Sequence, residues 1–454
     1  MLSSIRKERQ KIREEINEFD TLLDYIDRRS YRSPHLVYFQ EYLKHCKKAL
    51  LKDLDSSLDK ITEGFSTTEK SSKLRDFRSN LKHLRDLLLK FLLSSEVPRE
   101  LYWLCDLFLE YNNTRAEYLI CMSEEIASLP MSYILMRLGL NETHPSFWNQ
   151  MKDSDFYFIQ VTSNFKEPSS AIDWPIILHE ISHVICKEKK IDERYLEPIS
   201  VYTALRLLDQ FSTGLLPPNS PLIDAVTRKL YVTEYLADFF VTKCLAGAFG
   251  WRFLEKYVSL VDIFEVDRDR AHPPPDKRLQ RMLTDIKRHI KNPAVPQFLE
   301  AGLAELMGRE GKNVDKRLEK LDVGTIEKDV EPALNEITKM LNTEYKYTLT
   351  DDRIKESIQE TQWFKLLSKL SSKAAVKKYL SQKRFDAFLR QLSDNFADAT
   401  PIVADPSTLY YLVMLRYLPS TKSTSAINKT EEEVLSKLIA DAIRLYSIQR
   451  TFLQ

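Results

Sequence analysis

Trp174-Pro175-Ile176-Ile177-Leu178-His179-Glu180-Ile181-Ser182-His183-Val184-Ile185 sets the reading of the whole chain. It carries His-Glu-x-x-His inside an apolar run. Residues four apart on a helix share a face, so His179 and His183 project side by side. Two imidazoles so placed can grip one zinc ion, and Glu180 beside them can take a proton from metal-bound water. The surrounding Ile, Leu and Val residues imply a helix packed in the interior, where a charged Glu needs a partner or a metal. Asp173 is placed to cap this helix. Trp174-Pro175 suits its first turn, where a missing N–H does no harm.

Zinc takes a third protein ligand and keeps one position for water. Tyr231-Val-Thr-Glu234-Tyr-Leu-Ala237-Asp238 offers it. Glu234 and Asp238 are again four apart on a predicted helix, over 221–246. Glu234 can complete the metal shell, and Asp238 can accept the second ring N–H of a ligand histidine. Ala237 is small enough for two helices to approach closely. Further on, Arg268-Asp-Arg-Ala-His272-Pro-Pro-Pro-Asp276 reads as a stiff loop, because three prolines forbid regular helix. It would hold His272 in place, with Arg278 in the next helix.

With these three segments in order, the chain resembles the gluzincin metallopeptidases. The likeness is closest to the branch of the CAAX prenyl proteases, HtpX and BepA, and covers roughly residues 150–290. The resemblance implies that His179, His183 and Glu234 bind zinc, that Glu180 is the base and that Asp238 supports the site. It implies that His272 sits beside the metal and that Arg278 orders the cleft. The membrane-bound members have spanning helices beside the site, and none is found in this sequence.

The function expected is zinc-dependent hydrolysis of peptide bonds, endopeptidase before exopeptidase. His272, Tyr231 and Tyr235 are the candidates to stabilise the oxyanion. Two other readings are a non-catalytic helical interaction protein with a structural metal site, and a nucleic-acid-associated effector. The last would use Lys365, Lys369, Lys373 and Lys377, a basic stripe in 365–384 that could also bind an acidic partner.

Composition supports a mainly α chain. Nine glycines in 454 residues, with abundant Leu, Lys, Glu and Arg, leave few tight turns. The fold expected is a helical zincin-like core with a small β element over 151–310, flanked by helical domains over 1–150 and 311–454. Net charge near zero gives no global case for nucleic acid. The five cysteines are scattered without a paired spacing, no apolar segment is long enough for a membrane span, and the N-terminus lacks a signal-peptide core. Cytoplasm is the expected location.

Along the chain, helices are predicted over 1–30, 36–62, 74–94, 99–112, 116–128, 131–138, 195–211, 251–264, 312–345 and 430–452. Residues 66–73 and 419–430 read as loops and 139–145 as a turn. Ser220 is a candidate cap, and Gly247 and Gly250 should end or bend the helix that carries Glu234. Asp155 to Thr162 is the one clear strand, aromatic and β-branched. An exposed edge there could bind an extended peptide. His35, His45 and His83 read as structural or surface residues, and His144 has no local partner. Leu409–Leu415 should be buried.

Overall fold

Leu and Phe recur at helical spacing through the first hundred residues, and that periodicity gives helices that bury one stripe. The computed structural model describes residues 2–29, 34–61, 67–124, 126–152, 156–165, 168–191, 221–257, 272–310, 323–344, 347–360, 405–417 and 429–453, with isolated positions between 203 and 210. Described residues are mainly helical, with one small sheet. The chain divides into two compact units, Met1–Arg99 with Ala116–Lys166, and Glu100–Arg115 with Glu167–Gln454.

The first unit holds α1 (Leu2–Asn17), α2 (Phe19–Asp27), α3 (Pro34–Ile61) and α4 (Thr67–Leu93). The chain breaks at Glu18, so the first thirty residues give two helices rather than one. Thr67 already begins α4, so most of the Ser- and Thr-rich stretch is helix rather than loop. Ser and Thr are at home in the first turn of a helix.

Residues 116–128 are not helix. They form strands β1 (Glu117–Met122) and β2 (Ala127–Pro130). Tyr118, Leu119, Ile120 and Cys121 are all buried. A surface helix buries only a stripe, whereas a strand covered on both sides buries every residue. After α6 (Met131–Arg137), the expected turn contains a short helix, α7 (Leu140–Thr143), and α8 (Pro145–Met151) follows.

β3 (Phe156–Val161) matches the predicted strand, but it is the centre of the sheet. It pairs in parallel with β1 and antiparallel with β2. Both its edges are taken, so it offers no backbone groups to a peptide. Phe39 and Phe91 pack on it, with ring centres 5.2 Å from Phe156 and 4.3 Å from Phe158. His35 and His144 are buried in this unit. His35 lies against Tyr118, and His144 bonds Asp53 at 2.6 Å.

The second unit includes α5 (Arg99–Tyr111) from Glu100 onward and is organised on two helices. α9 (Pro175–Glu188) carries the His-Glu-x-x-His stretch, and α10 (Pro221–Leu245) packs along it. α10 is buried almost all round from Lys229 to Leu245, which fits its central place. Ala246, at φ 49°, breaks the chain before α11 (Gly247–Arg252). A Cβ on Gly247 would run into the Val295 side chain, so the close packing there requires glycine. A π-turn, Phe253–Tyr257, replaces the start of the helix expected over 251–264.

Around this pair lie α12 (Pro275–His289), α13 (Ala294–Glu310), α14 (Val323–Glu344), α15 (Asp351–Glu360), α16 (Pro406–Tyr417) and α17 (Lys429–Leu453). Leu409, Tyr410, Tyr411, Val413 and Met414 are buried, as expected for that apolar segment. Most of the expected helix over 195–211, residues 258–271, Ser220, the basic stripe 365–384 and the loop over 419–428 lie outside the described residues. Among the described residues, no helix is long and apolar enough to cross a membrane.

Asp173 does not cap α9. Trp174 takes the capping position with helical backbone angles and no side-chain bond. Asp173 instead accepts from Arg252, whose Nε lies 2.7 Å away. Arg252 is buried and also reaches Glu255 at 2.8 Å and Glu432 at 2.7 Å. A guanidinium out of water needs carboxylates around it, and that demand outweighs one cap. The turn before α9, Pro168–Asp173, is further held by bonds from Tyr410 Oη to Ala171 O (2.6 Å) and from Ile172 N to Ser436 Oγ (3.2 Å). The start of α9 is thus fixed from α11, α16 and α17.

Candidate metal centre

His179 and His183 share one face of α9, with ring centres 4.9 Å apart and ring planes nearly perpendicular. The helix gives this arrangement directly, since i and i+4 stack on one side. One atom each from His179, Glu180 and His183 falls within 4.8 Å of the others, so these three form a compact donor group.

α10 brings Glu234 to the same point. Its two carboxylate oxygens lie 3.2 Å from His179 Nε2 and 3.2 Å from His183 Nε2. Asp238, one turn on, lies 3.0 Å from His179 Nδ1. That contact is close, though not aligned as a hydrogen bond. It places a carboxylate on the far side of the imidazole ring from Nε2.

Arg278 completes the first turn of α12, as expected, although Pro275 starts that helix before the stiff loop was expected to end. Its Nε and Nη2 grip Asp238 at 2.8 and 2.7 Å, and Nη1 lies 3.3 Å from Glu234. Nη2 also lies 3.4 Å from His179 Nε2. Arg278 is 1% exposed, and Phe253 lies under its guanidinium at 5.0 Å. Phe249 stacks beside His179 at 6.0 Å. These two aromatic walls carry no motif and could not be read from the sequence.

His272 stands at the rim. Its Nε2 is 3.9 Å from Glu234, and its side chain is 36% exposed, against 6% for His179. Tyr231 and Tyr235 are both buried in α10. Tyr235 has the Arg281 guanidinium over its ring at 4.5 Å.

The electrostatics follow from this crowding. Burial alone would raise the Glu234 pKa, but the charges of His272 and His183 and the bonds to His179 and His183 hold it well below the carboxylate range. Burial likewise works to raise Asp238, and Arg278, then His179, outweigh it and lower the pKa. For His179, burial works to lower the pKa, yet Asp238 and Glu234 push it up to about 9. Both carboxylates are therefore ionised at neutral pH. They face Arg278 and the imidazole of His179, whose pKa is raised.

The residues present fit a divalent cation. Tetrahedral zinc with bonds of about 2.0–2.2 Å separates its ligand atoms by about 3.4 Å. The 3.2 Å spacings of Glu234 from both imidazoles match that separation. A metal ion would take over from the His179 ring proton as counter-charge to the two buried carboxylates. What stands is a candidate metal-binding site of zincin-like spacing, with carboxylates close by.

No protein-family model matches the chain, no curated protein matches it, and no solved structure matches it.

Proposed function

We propose that this chain is a zinc-dependent peptidase of the gluzincin kind, with His179, His183 and Glu234 as the metal ligands. The observation that carries this reading is that Glu234, from a separate helix, reaches both imidazoles at once. Zinc, when bound, supplies a water of lowered pKa and an acid for the substrate carbonyl.

The chain's own residues divide the remaining work. Glu180 is only partly buried and adjoins the ligand face, so it can take the proton of the attacking water and pass it to the leaving amine. Asp238, 3.0 Å from Nδ1 of His179, can take that ring proton once the imidazole turns into line, which leaves the Nε2 lone pair facing the centre. Arg278 holds Asp238 with two parallel bonds and keeps the buried acids compensated. His272, at the exposed rim, can donate to the oxygen of the scissile carbonyl. The substrate is a peptide or protein, cut internally.

The test has two steps. Metal analysis of the purified chain should give about one zinc per molecule, lost in His179→Ala. A random peptide library should then be cleaved by the wild type and spared by Glu180→Gln. Zinc retained without any cleavage would leave a structural metal site in a non-catalytic protein. Zinc bound with unchanged affinity by Glu234→Ala would remove the third ligand.

A further inference from the structure

α11 and the π-turn after it supply no donor to the metal centre, yet they reach both the helix that carries the imidazoles and the arginine behind them. The Phe249 ring lies almost parallel to that of His179, 14° off, with centres 6.0 Å apart. Phe253, four residues on, lies under the Arg278 guanidinium at 5.0 Å. Arg252, between them in sequence, bonds Asp173 at the start of α9 through Nε, at 2.7 Å, and through Nη2.

This segment is held from every side. Phe249, Arg252 and Phe253 are each at most 2% exposed. Neighbouring residues on a helix point about 100° apart, which is how Arg252 and Phe253 address different elements. Arg252 also bonds Glu255 at 2.8 Å and Glu432 at 2.7 Å. Three carboxylates around one buried guanidinium fix both its place and its plane. On the remaining face, a Cβ on Gly247 would press on Val295, and one on Gly250 on Leu299, both of α13. A segment packed so tightly shifts only if its neighbours shift with it.

We infer that Arg252 and Phe253 are positioning residues of the metal centre. Arg252 holds the helix that carries His179 and His183, and Phe253 holds the guanidinium that supports Asp238 and Glu234. The inference rests on the metal-ligand reading above and adds what keeps the separate helices in register. The imidazoles come from α9, the carboxylates from α10 and Arg278 from α12, so the 3.2 Å approach of Glu234 to both rings depends on how three helices are set. Zinc ligation tolerates distance errors of about 0.2 Å. A small tilt of α9, or a turn of the Arg278 side chain, is therefore enough to lower affinity.

The experiment uses the full-length chain loaded with zinc or with cobalt(II). Zinc affinity is read by competition with a chelator, and ligand geometry from the visible bands of cobalt(II). Arg252→Gln strips the cation from three carboxylates and can unfold the chain, so Asp173→Asn carries the test at that end. It unhooks α9 and leaves Arg252 its bonds to Glu255 and Glu432. Phe253→Leu removes the ring beneath Arg278 and keeps an apolar side chain. Each should weaken zinc binding about tenfold and alter the cobalt bands. A thermal melt of the metal-free chain accompanies each variant. A lowered melting temperature, with zinc affinity within about twofold of the wild type and cobalt bands unchanged, would overturn the inference and leave ordinary core residues. A wild type that binds neither metal would overturn the metal centre and this inference with it. Zinc binding weakened by both variants, in a chain that cleaves no peptide, would support the positioning role and count against the peptidase.

Discussion

Arg278 grips Asp238 through two nitrogens, at 2.8 and 2.7 Å, and the pair is almost wholly shut from water. Asp238 in turn touches the imidazole of His179. The first expectation follows. Arg278→Leu leaves Asp238 and Glu234 buried without their cation and should cost about 3–5 kcal/mol. Urea denaturation of the metal-free chain measures it. Asp238→Asn should keep the fold and weaken zinc binding about 10–100-fold, read by competition with a chelator. Full zinc affinity in Asp238→Asn would show that the ring needs no such support.

Glu180 and Glu234 should separate by phenotype. Glu180→Gln should retain one zinc and lose cleavage by about 10²–10⁴-fold, the range for a missing general base. Glu234→Ala should lose the zinc itself. Metal content and turnover, measured on the same preparations, tell the two carboxylates apart. If both variants lose zinc equally, Glu180 is a ligand rather than a base.

Gly247 should tolerate no side chain. A methyl there meets the Val295 side chain and the sulfur of Met414. Gly247→Ala should cost about 1–3 kcal/mol through overpacking. Adding Val295→Ala should recover part of the loss, since it vacates the colliding group. A thermal melt unchanged by Gly247→Ala would contradict the packing described.

Asp441, on α17, gives a pH dependence of known sign. Burial pushes its carboxyl up to about 6, with Glu100 adding to the shift and Lys437 and Arg444 opposing it. The native chain therefore holds this proton more tightly than the unfolded one. Its contribution to stability is present below about pH 4 and is lost as pH rises through about 6. Asp441→Asn should raise stability near pH 7.5 by about 1–2 kcal/mol, a figure reduced for partial exposure, with little change near pH 4. Denaturation curves at the two pH values check it. A gain that is equal at both would point away from titration.

The pairing of His179 with His183 could be read directly, because four residues on one helix fix a distance whatever surrounds it. The position of β3 in the chain was legible for a similar local reason, its aromatic and β-branched run. Its place at the centre of the sheet was not. β1 and β2 claim its two edges, and β1 with the start of β2 reads as helix until the pairing is seen. Asp173 looked like a cap because it sits at the right position. The competing partner, Arg252, is far along the chain, and no local rule weighs the two.

The sequence by itself determined which residues could carry metal chemistry and the spacing of each pair along its helix, because helical periodicity is a property of neighbours. Tertiary structure decided the rest. It set Glu234 3.2 Å from both imidazoles, gave Arg278 to Asp238 and left His272 at the rim. Those relations join segments far apart in sequence. They depend on how α9, α10 and α12 pack, and packing is fixed by the whole of the buried surface rather than by any one stretch.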